Sequence, residues 1–124
     1  MVAQDRDPVT SEPVDLDQII HQPVRLRIMT LLVSQPGNGR VAYTFIQRTL
    51  DVTGGNLTIH LRKLRDTGYV AITKEFRNEK PSTWVKATPS GRRAFASYLV
   101  NLEKVLKWVP PLQPEGQLAA TREA

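Results

Sequence analysis

The stretch that decides the fold covers residues 43–70 and reads YTFIQRTLDVTGGNLTIHLRKLRDTGYV. It contains two short amphipathic helical patterns joined by a turn of only a few residues. In the second pattern Thr53 suits an N-cap and Gly68 suits the position just past the end, which predicts a helix over about residues 54–66. Three leucines at helical spacing mark its buried side, Leu57, Leu61 and Leu64. Two helices joined this tightly are typical of a helix-turn-helix.

The other side of the second helix carries small polar residues at its start and basic residues farther along. This combination suits a nucleic-acid groove, because a recognition helix touches bases mainly through its N-terminal residues. Contacts to base edges are expected from Asn56, Thr58 and Ile59. Contacts to the DNA backbone are expected from free N–H groups and basic side chains, namely from Gly55, His60, Arg62 and Lys63.

Several of these residues also fit a structural role. Asn56 would suit capping of the helix start, and Ile59 would suit packing on a neighbouring element. For His60 the alternatives to a phosphate contact are a pH-sensitive charge and a local hydrogen bond. Arg65 has two acidic residues as candidate ion-pair partners, Asp66 and Glu75.

Two strands and a last helix are predicted after residue 69. Apolar and polar residues alternate over residues 70–76, and residues 83–87 form a second strand pattern, in which Trp84 is expected in the core. The loop between them, a wing of about residues 77–82, carries Arg77 and Lys80, which are expected to approach the minor groove. The last helix begins with Thr88 as N-cap and Pro89 at its first position, and runs to about residue 108.

The residues before the helix-turn-helix predict two further helical segments. One follows Leu16, Ile19 and Ile20, and the next is a buried helix after Pro23 that ends in a loop at residues 35–39. Residues 41–43 predict a small edge strand, and Thr44 suits the N-cap of the helix that follows. The predicted fold is therefore mainly α with a small β-hairpin (α+β), a winged helix-turn-helix with a C-terminal dimerisation helix. We predict a flexible acidic arm at 1–14, a domain at 15–108 and a Pro-containing flexible tail at 109–124.

The last helix has an apolar stripe that is broader than a small domain needs for its own core. This surplus predicts a homodimer in which the same helix of a second copy packs against it. The alternative is that the stripe only covers the core of its own chain. The residues expected at the dimer interface are Leu16, Ile19, Ile20, Phe95, Tyr98, Leu99, Leu102, Val105 and Leu106.

Composition narrows the class of function. The 124 residues carry a net charge of +5. Residues 60–93 contain nine basic residues and only three acidic ones, whereas residues 1–18 are acidic. Such a basic segment indicates a polyanion partner, although it also fits a solvated face. The chain has no cysteine, which excludes disulfides and thiolate chemistry. The chain shows no catalytic set, cofactor motif, metal-ligand spacing, membrane span or signal peptide, so we expect a non-enzyme in the cytoplasm, associated with the nucleoid when DNA-bound.

Three segments carry a family resemblance, HQPVRLRIMTLL (21–32), VTGGNLTIHLRKLRDTGYV (52–70) and KPSTWVKATPSGRRAF (80–95). Their order and spacing over residues 15–106 resemble winged-helix regulators of the ArsR and MarR type, above all the compact "winged helix DNA-binding domain" group of prokaryotes. The resemblance implies a dimeric transcriptional regulator whose terminal helices make the dimer. The chain departs from the pattern at Gly54, Ile59 and Ser82, and the absent cysteines exclude the cysteine-based metal sensing of some ArsR-like members.

The function expected from the sequence is sequence-specific binding of double-stranded DNA by a homodimer that regulates transcription, most simply as a repressor. The alternative is a winged-helix protein-interaction module without sequence-specific DNA binding. A small-molecule effector is compatible with the sequence, but no residue indicates one.

Overall fold

Four helices and a three-stranded antiparallel sheet form the part of the chain that the computed structural model describes, residues 14–36 and 39–109. The elements are α1 (Pro23–Val33), β1 (Val41–Ala42), α2 (Tyr43–Leu50), α3 (Gly54–Thr67), β2 (Val70–Arg77), β3 (Lys80–Ala87) and α4 (Pro89–Lys107). The strand order in the sheet is β1–β3–β2. The predicted α+β winged helix-turn-helix fold with a C-terminal helix is confirmed. The predicted arm and tail lie almost wholly outside the described residues.

Local sequence signals set the ends of α3 and α4. The Thr53 hydroxyl accepts a hydrogen bond from the backbone N–H of Asn56 at 3.1 Å, and Gly68 ends α3 with a φ of 92°. At α4 the Thr88 hydroxyl accepts from the N–H of Gly91 at 2.9 Å. The two threonines satisfy backbone N–H groups in the first turn of each helix that have no partner within the helix. The three predicted cap positions, Thr53, Gly68 and Thr88, are confirmed.

Residues 15–20 do not form the predicted helix. The carboxylate of Asp17 accepts hydrogen bonds from the backbone N–H groups of Ile19 at 2.8 Å and Ile20 at 3.2 Å. An aspartate bonded in this way stabilises a turn in competition with helical hydrogen bonds. The apolar spacing in this segment therefore marks the side that packs on the core, without a helix.

The expected N-cap of α2 was also wrong. The helix begins at Tyr43 with Ala42 as its N-cap residue, and no side chain caps it, so Thr44 lies inside the first turn. Ala42 is paired with Trp84 in the sheet, and the chain passes directly from that strand into the helix. Strand pairing between residues far apart in sequence thus sets this helix start.

The hairpin of β2 and β3 is longer and its turn shorter than predicted. The strands pair from Val70 opposite Ala87 to Arg77 opposite Lys80, leaving a two-residue turn. Both turn residues, Asn78 and Glu79, have positive φ, 51° and 64°. Positive φ at both positions is the conformation of the type I′ turn, whose twist matches that of the flanking strands.

The core lies between the helices and the inner end of the sheet. It contains Ile20, Phe95 and Tyr98, which the sequence placed at a dimer interface, and their exposed fractions are 0%, 6% and 1%. These three side chains are covered by their own chain and have little surface left for a partner. The remaining core side chains are Ile28, Met29, Leu32, Val41, Ile46, Leu50, Leu57, Leu61, Leu64, Val70, Val85 and Ala87.

The segment before α1 is fastened across the core by side-chain hydrogen bonds. The Tyr69 hydroxyl donates to the Asp17 carboxylate at 2.5 Å, and this bond raises the pKa of Tyr69 to about 12. The His21 Nδ1 and the Tyr98 hydroxyl are 2.7 Å apart. These contacts hold the segment against α4 and the start of β2.

Candidate nucleic-acid interface

Helix α3 turns one face inward and leaves the opposite face open to solvent. Leu57, Leu61 and Leu64 are buried, with exposed fractions of at most 2%. The open face carries a glycine and an amide near the helix start, a large aliphatic side chain, and two cations farther along. These residues are Gly55, Asn56, Ile59, Arg62 and Lys63. The arrangement is the one predicted for a recognition helix.

The start of α3 leaves room for a close approach of its backbone to a ligand. No atom lies within 4 Å of the position that a Cβ would take at Gly55. The hydroxyl of Thr53 caps the N–H of Asn56, so the Asn56 side chain is not needed for that role. Among the described residues, no hydrogen bond is made by the Asn56 amide group, which is exposed. Both features leave polar groups at the helix start available to a partner.

Ile59 and Thr58, both predicted to contact bases, differ in their surroundings. Ile59 is 64% exposed, so it does not pack on a neighbouring element. The Thr58 hydroxyl lies 2.8 Å from the hydroxyl of Tyr43, which also donates to the carbonyl of Gly54 at 2.7 Å. Thr58 therefore points towards α2 and is half-buried, whereas Ile59 points outward.

His60 is tied to the first helix. An Arg25 guanidinium nitrogen lies 3.2 Å from the Nδ1 of His60, and the same side chain donates from Nε to the carbonyl of Ile19 at 2.6 Å. A guanidinium has only donors, so Nδ1 accepts and the proton of the neutral ring is on Nε2. Burial, followed by the positive charge of Arg25, lowers the pKa of His60 from its usual value. His60 is therefore a neutral donor near pH 7, held by a local hydrogen bond.

Two arginines near this interface, Arg65 and Arg40, form ion pairs with carboxylates of the same chain. Arg65 lies 3.1 Å from the Asp66 carboxylate, so of its two candidate partners it pairs with Asp66. Glu75 instead pairs with Arg40 at 2.6 Å, and this pair lowers the pKa of Glu75. The Arg40 guanidinium also lies 4.3 Å from the ring centroid of Trp84. Trp84 is thus half-buried under a cation on the outside of the sheet, which the sequence did not predict.

A cleft of about 250 Å³ separates α3 from the sheet. Its lining includes two arginines of α3 and one lysine of β2, and none of the lining residues is acidic. The full lining is Tyr43, Thr58, Leu61, Arg62, Arg65, Ile72, Lys74 and Thr83. Sequence reasoning missed Lys74, although the alternation along β2 places it on the same face as the apolar Ile72.

The wing cations lie at the far end of the hairpin. Arg77 and Lys80 are exposed and directly opposite each other in the strand register, next to the turn at Asn78 and Glu79. Glu79 is exposed at the same end. The hairpin therefore carries basic charge at its tip, away from the core.

The model of the "Winged helix DNA-binding domain" family matches residues 24–106, which include α1 to α3, the hairpin and nearly all of α4. The chain belongs to this family. An uncharacterized protein of Methanocaldococcus jannaschii is 31% identical over 90 residues, which is 73% of this chain and 95% of that protein. This winged-helix protein is thus a DNA-binding protein by family, not an enzyme, and double-stranded DNA is the partner that the family implies.

Solved structures agree with this assignment. The structure of a transcriptional regulator homologue from Pyrococcus horikoshii OT3 is 33% identical, with a TM-score of 0.67, over 73% of this chain and 86% of that chain. A regulator of the MarR family from Enterococcus faecalis V583 shares the fold, with 22% identity and a TM-score of 0.57 over 86% and 83% of the two chains. The resemblance to winged-helix regulators is therefore confirmed.

The outer side of α4 in this winged-helix protein is apolar and open. Leu99, Val100 and Leu106 are 47%, 52% and 75% exposed. Leu99 and Leu106 belong to the set expected at a dimer interface, and four other members of that set are half-buried, Leu16, Ile19, Leu102 and Val105. Leu16, Ile19 and Leu102 pack in part against the core, so the apolar surface that the core leaves open is mainly that of Leu99 and Leu106.

Neither a membrane-spanning helix nor a metal-ligand cluster is present in residues 14–36 and 39–109. No helix there is long and apolar enough to cross a membrane. No group of three or more histidine, aspartate or glutamate side chains is placed there to hold a metal ion.

Proposed function

We propose that this winged-helix protein is a homodimeric, sequence-specific regulator of transcription in the cytoplasm that represses by occluding a promoter. The observation that carries this proposal is the open face of α3. It combines an uncrowded helix start, an unbonded amide and an exposed aliphatic side chain with two cations. Each of these groups has a complement on the floor or walls of the DNA major groove.

Base recognition is assigned to the two outward-pointing residues near the start of α3. The Asn56 amide suits bidentate pairing with the N6 and N7 atoms of adenine, and the Ile59 side chain suits contact with a thymine methyl group. Thr58 has its hydroxyl engaged by Tyr43, so it is assigned the position of α3 against α2.

Backbone contacts are assigned to groups that flank this pair. The N–H of Gly55 and the neutral Nε2–H of His60 can donate to phosphate oxygens, and Arg62 and Lys63 add positive charge. Arg77 and Lys80 of the wing are expected near the minor groove. Such contacts fix the register on the duplex and make affinity depend steeply on salt.

Dimerisation is assigned to the open side of α4, including Leu99 and Leu106. A two-fold axis between two α4 helices would repeat the surface on both copies, as in most homodimers. It would also present two α3 helices to successive major grooves, about 34 Å apart. A near-palindromic operator follows from that symmetry.

The test is fluorescence anisotropy of the protein on its own upstream DNA and on a scrambled duplex across a salt series. Asn56→Ala is expected to cost about 1–3 kcal/mol on the native fragment and little on the scrambled one. Arg62→Ala is expected to weaken both alike and to reduce the log–log salt slope by about 0.9. Arg93→Ala, which removes an exposed arginine of α4, is the matched control and should leave the slope unchanged.

Two outcomes would contradict the proposal. Equal losses of Asn56→Ala on native and scrambled DNA would remove the assignment of base recognition to this residue. Weak and equal binding of both duplexes by the unaltered protein would favour the alternative, a protein-interaction module without sequence-specific DNA binding.

A further inference from the structure

The hairpin of β2 and β3 has two faces that differ in chemistry. Successive side chains of a strand point to opposite faces, and directly paired residues share a face. The inner face is defined as the one that continues the core towards the turn, with the pairs Ile72–Val85, Lys74–Thr83 and Phe76–Pro81. The outer face carries the alternating pairs Thr73–Trp84, Glu75–Ser82 and Arg77–Lys80. The expected wing contacts, Arg77 and Lys80, thus belong to the outer face.

The inner face looks towards the recognition helix. Ile72, Lys74 and Thr83 line the cleft of about 250 Å³ together with Arg62 and Arg65 of α3. No carboxylate lines this cleft, and Arg65 is paired with Asp66, so Arg62 and Lys74 supply its remaining positive charge, which is complementary to a phosphate group. A duplex seated on α3 would bring its sugar–phosphate backbone past the mouth of this cleft.

The outer end of the inner face is apolar. Phe76 is 75% exposed and lies opposite Pro81, which is also exposed. A large aromatic side chain left this open at the end of a basic hairpin has no role in the core. Apolar side chains in such positions can pack against deoxyribose in the minor groove or enter between base steps.

The outer face, in contrast, is already engaged near its middle. The Arg40 guanidinium covers the Trp84 ring at 4.3 Å and pairs with the Glu75 carboxylate at 2.6 Å. Arg40, which is not part of the hairpin, thus engages one acidic and one aromatic side chain of the outer face. Its charges are balanced, which makes the middle of this face a weaker match for DNA than the cleft.

We propose that the wing meets DNA through its inner face, where Lys74 contacts a backbone phosphate at the cleft and Phe76, with Pro81, packs on the sugars of the adjacent minor groove. This inference rests on the proposed function, since it takes double-stranded DNA as the occupant. The positive charge of Lys74 and Arg62 at the cleft is the observation that favours this occupant. The wing contact is then part ionic and part apolar.

The two parts have different salt signatures. A lysine that neutralises a phosphate releases a counterion, so its removal changes the slope of log affinity against log salt by about 0.9. An apolar side chain that packs on sugars contributes affinity without releasing ions, so its removal lowers affinity equally at every salt concentration. A salt series therefore separates Lys74 from Phe76.

The experiment uses anisotropy of the full chain with two pairs of variants. Lys74→Ala should flatten the salt slope by about 0.9 on native and scrambled DNA, whereas Lys86→Ala, the same charge change on the outer face, should leave it unchanged. Phe76→Ala should lower affinity about tenfold with an unchanged slope, and Phe76→Leu should retain most of the affinity because it keeps an apolar side chain. Urea unfolding midpoints equal to that of the unaltered protein would show that the losses are not losses of fold.

Several results would overturn the inference. Equal slopes for Lys74→Ala and Lys86→Ala would remove the inner face as the DNA-facing side. Unchanged binding by Phe76→Ala, or a change in self-association without a change in DNA binding, would assign Phe76 to another surface. The proposed function would fail separately, if the unaltered protein showed no preference for its upstream DNA. In that case the salt slopes of Lys74→Ala and Lys86→Ala on the scrambled duplex would still show which face of the hairpin contacts DNA.

Discussion

Gly91 offers the sharpest test of how α4 is seated on the fold. A Cβ at this position would lie 2.1 Å from the carbonyl oxygen of Tyr69 and 2.8 Å from its carbonyl carbon. Both neighbours are backbone atoms, so no side chain can rotate away. The contact is also clamped, because Thr88 donates from its N–H to the carbonyl of Tyr69 at 3.1 Å and from its hydroxyl to that of Gly68 at 2.6 Å.

The substitution Gly91→Ala would force the start of α4 away from Tyr69 by about 1 Å or more, since ordinary non-bonded contacts are about 3.5 Å. Overpacking of this kind costs about 1–3 kcal/mol, and each weakened hydrogen bond of Thr88 adds about 1 kcal/mol. Alanine regains about 1 kcal/mol through its higher helix propensity. We expect a net loss of about 2–4 kcal/mol in the free energy of unfolding.

Urea unfolding followed by circular dichroism measures this loss. With an m-value of about 2 kcal/mol/M, the midpoint should fall by about 1–2 M. Gly55→Ala is the matched control, because nothing lies within 4 Å of its Cβ position, and it should raise stability by up to about 1 kcal/mol. A Gly91→Ala midpoint equal to that of the unaltered protein would refute the close approach of α4 to Tyr69.

Three further predictions concern other contacts. Asp17→Asn should lower the free energy of unfolding by about 1–3 kcal/mol and bring the pKa of Tyr69 from about 12 back towards 10, measured by urea unfolding and by tyrosinate absorbance; an unchanged pKa would exclude the hydrogen bond. Because the pKa of His60 is lowered from 6.5, its contribution to stability is complete above that pH and is lost as pH falls through the folded-state pKa. His60→Gln should therefore flatten the dependence of stability on pH in that range, measured by urea unfolding at a series of pH values, and an unchanged dependence would contradict the lowered pKa. Leu106→Glu should convert a dimer to a monomer in sedimentation velocity without changing the unfolding midpoint, since Leu106 is 75% exposed; sedimentation equal to that of the unaltered protein would place the interface elsewhere.

Features that depend on neighbouring residues could be predicted from the sequence. Thr53, Gly68 and Thr88 mark helix ends because their capping bonds join residues no more than a few positions apart. The period of two along β2 and β3 likewise predicted the hairpin. These local signals were sufficient for the order of elements and hence for the fold.

Features that depend on distant partners could not be predicted in this way. The apolar spacing around Ile20 does not distinguish a helix from a turn that Asp17 bonds to its own backbone. The apolar stripe of α4 likewise does not say which partner covers it, and Phe95 and Tyr98 proved to be covered by their own chain. Nor does the sequence around Thr58 show that its hydroxyl is hydrogen-bonded to the hydroxyl of Tyr43 from another helix.

The two-residue turn at Asn78 and Glu79 has a consequence for how this hairpin could be altered. Val70 and Ala87 are paired and buried in the core, and this pair fixes which face of the hairpin every residue from there to the turn lies on. An insertion of one residue in β3 would therefore exchange its two faces beyond that point, or be absorbed as a bulge. Packing in the core about 20 Å away thus determines which side chains lie on each face at the tip of the hairpin. Only insertions or deletions of an even number of residues would keep those faces unchanged.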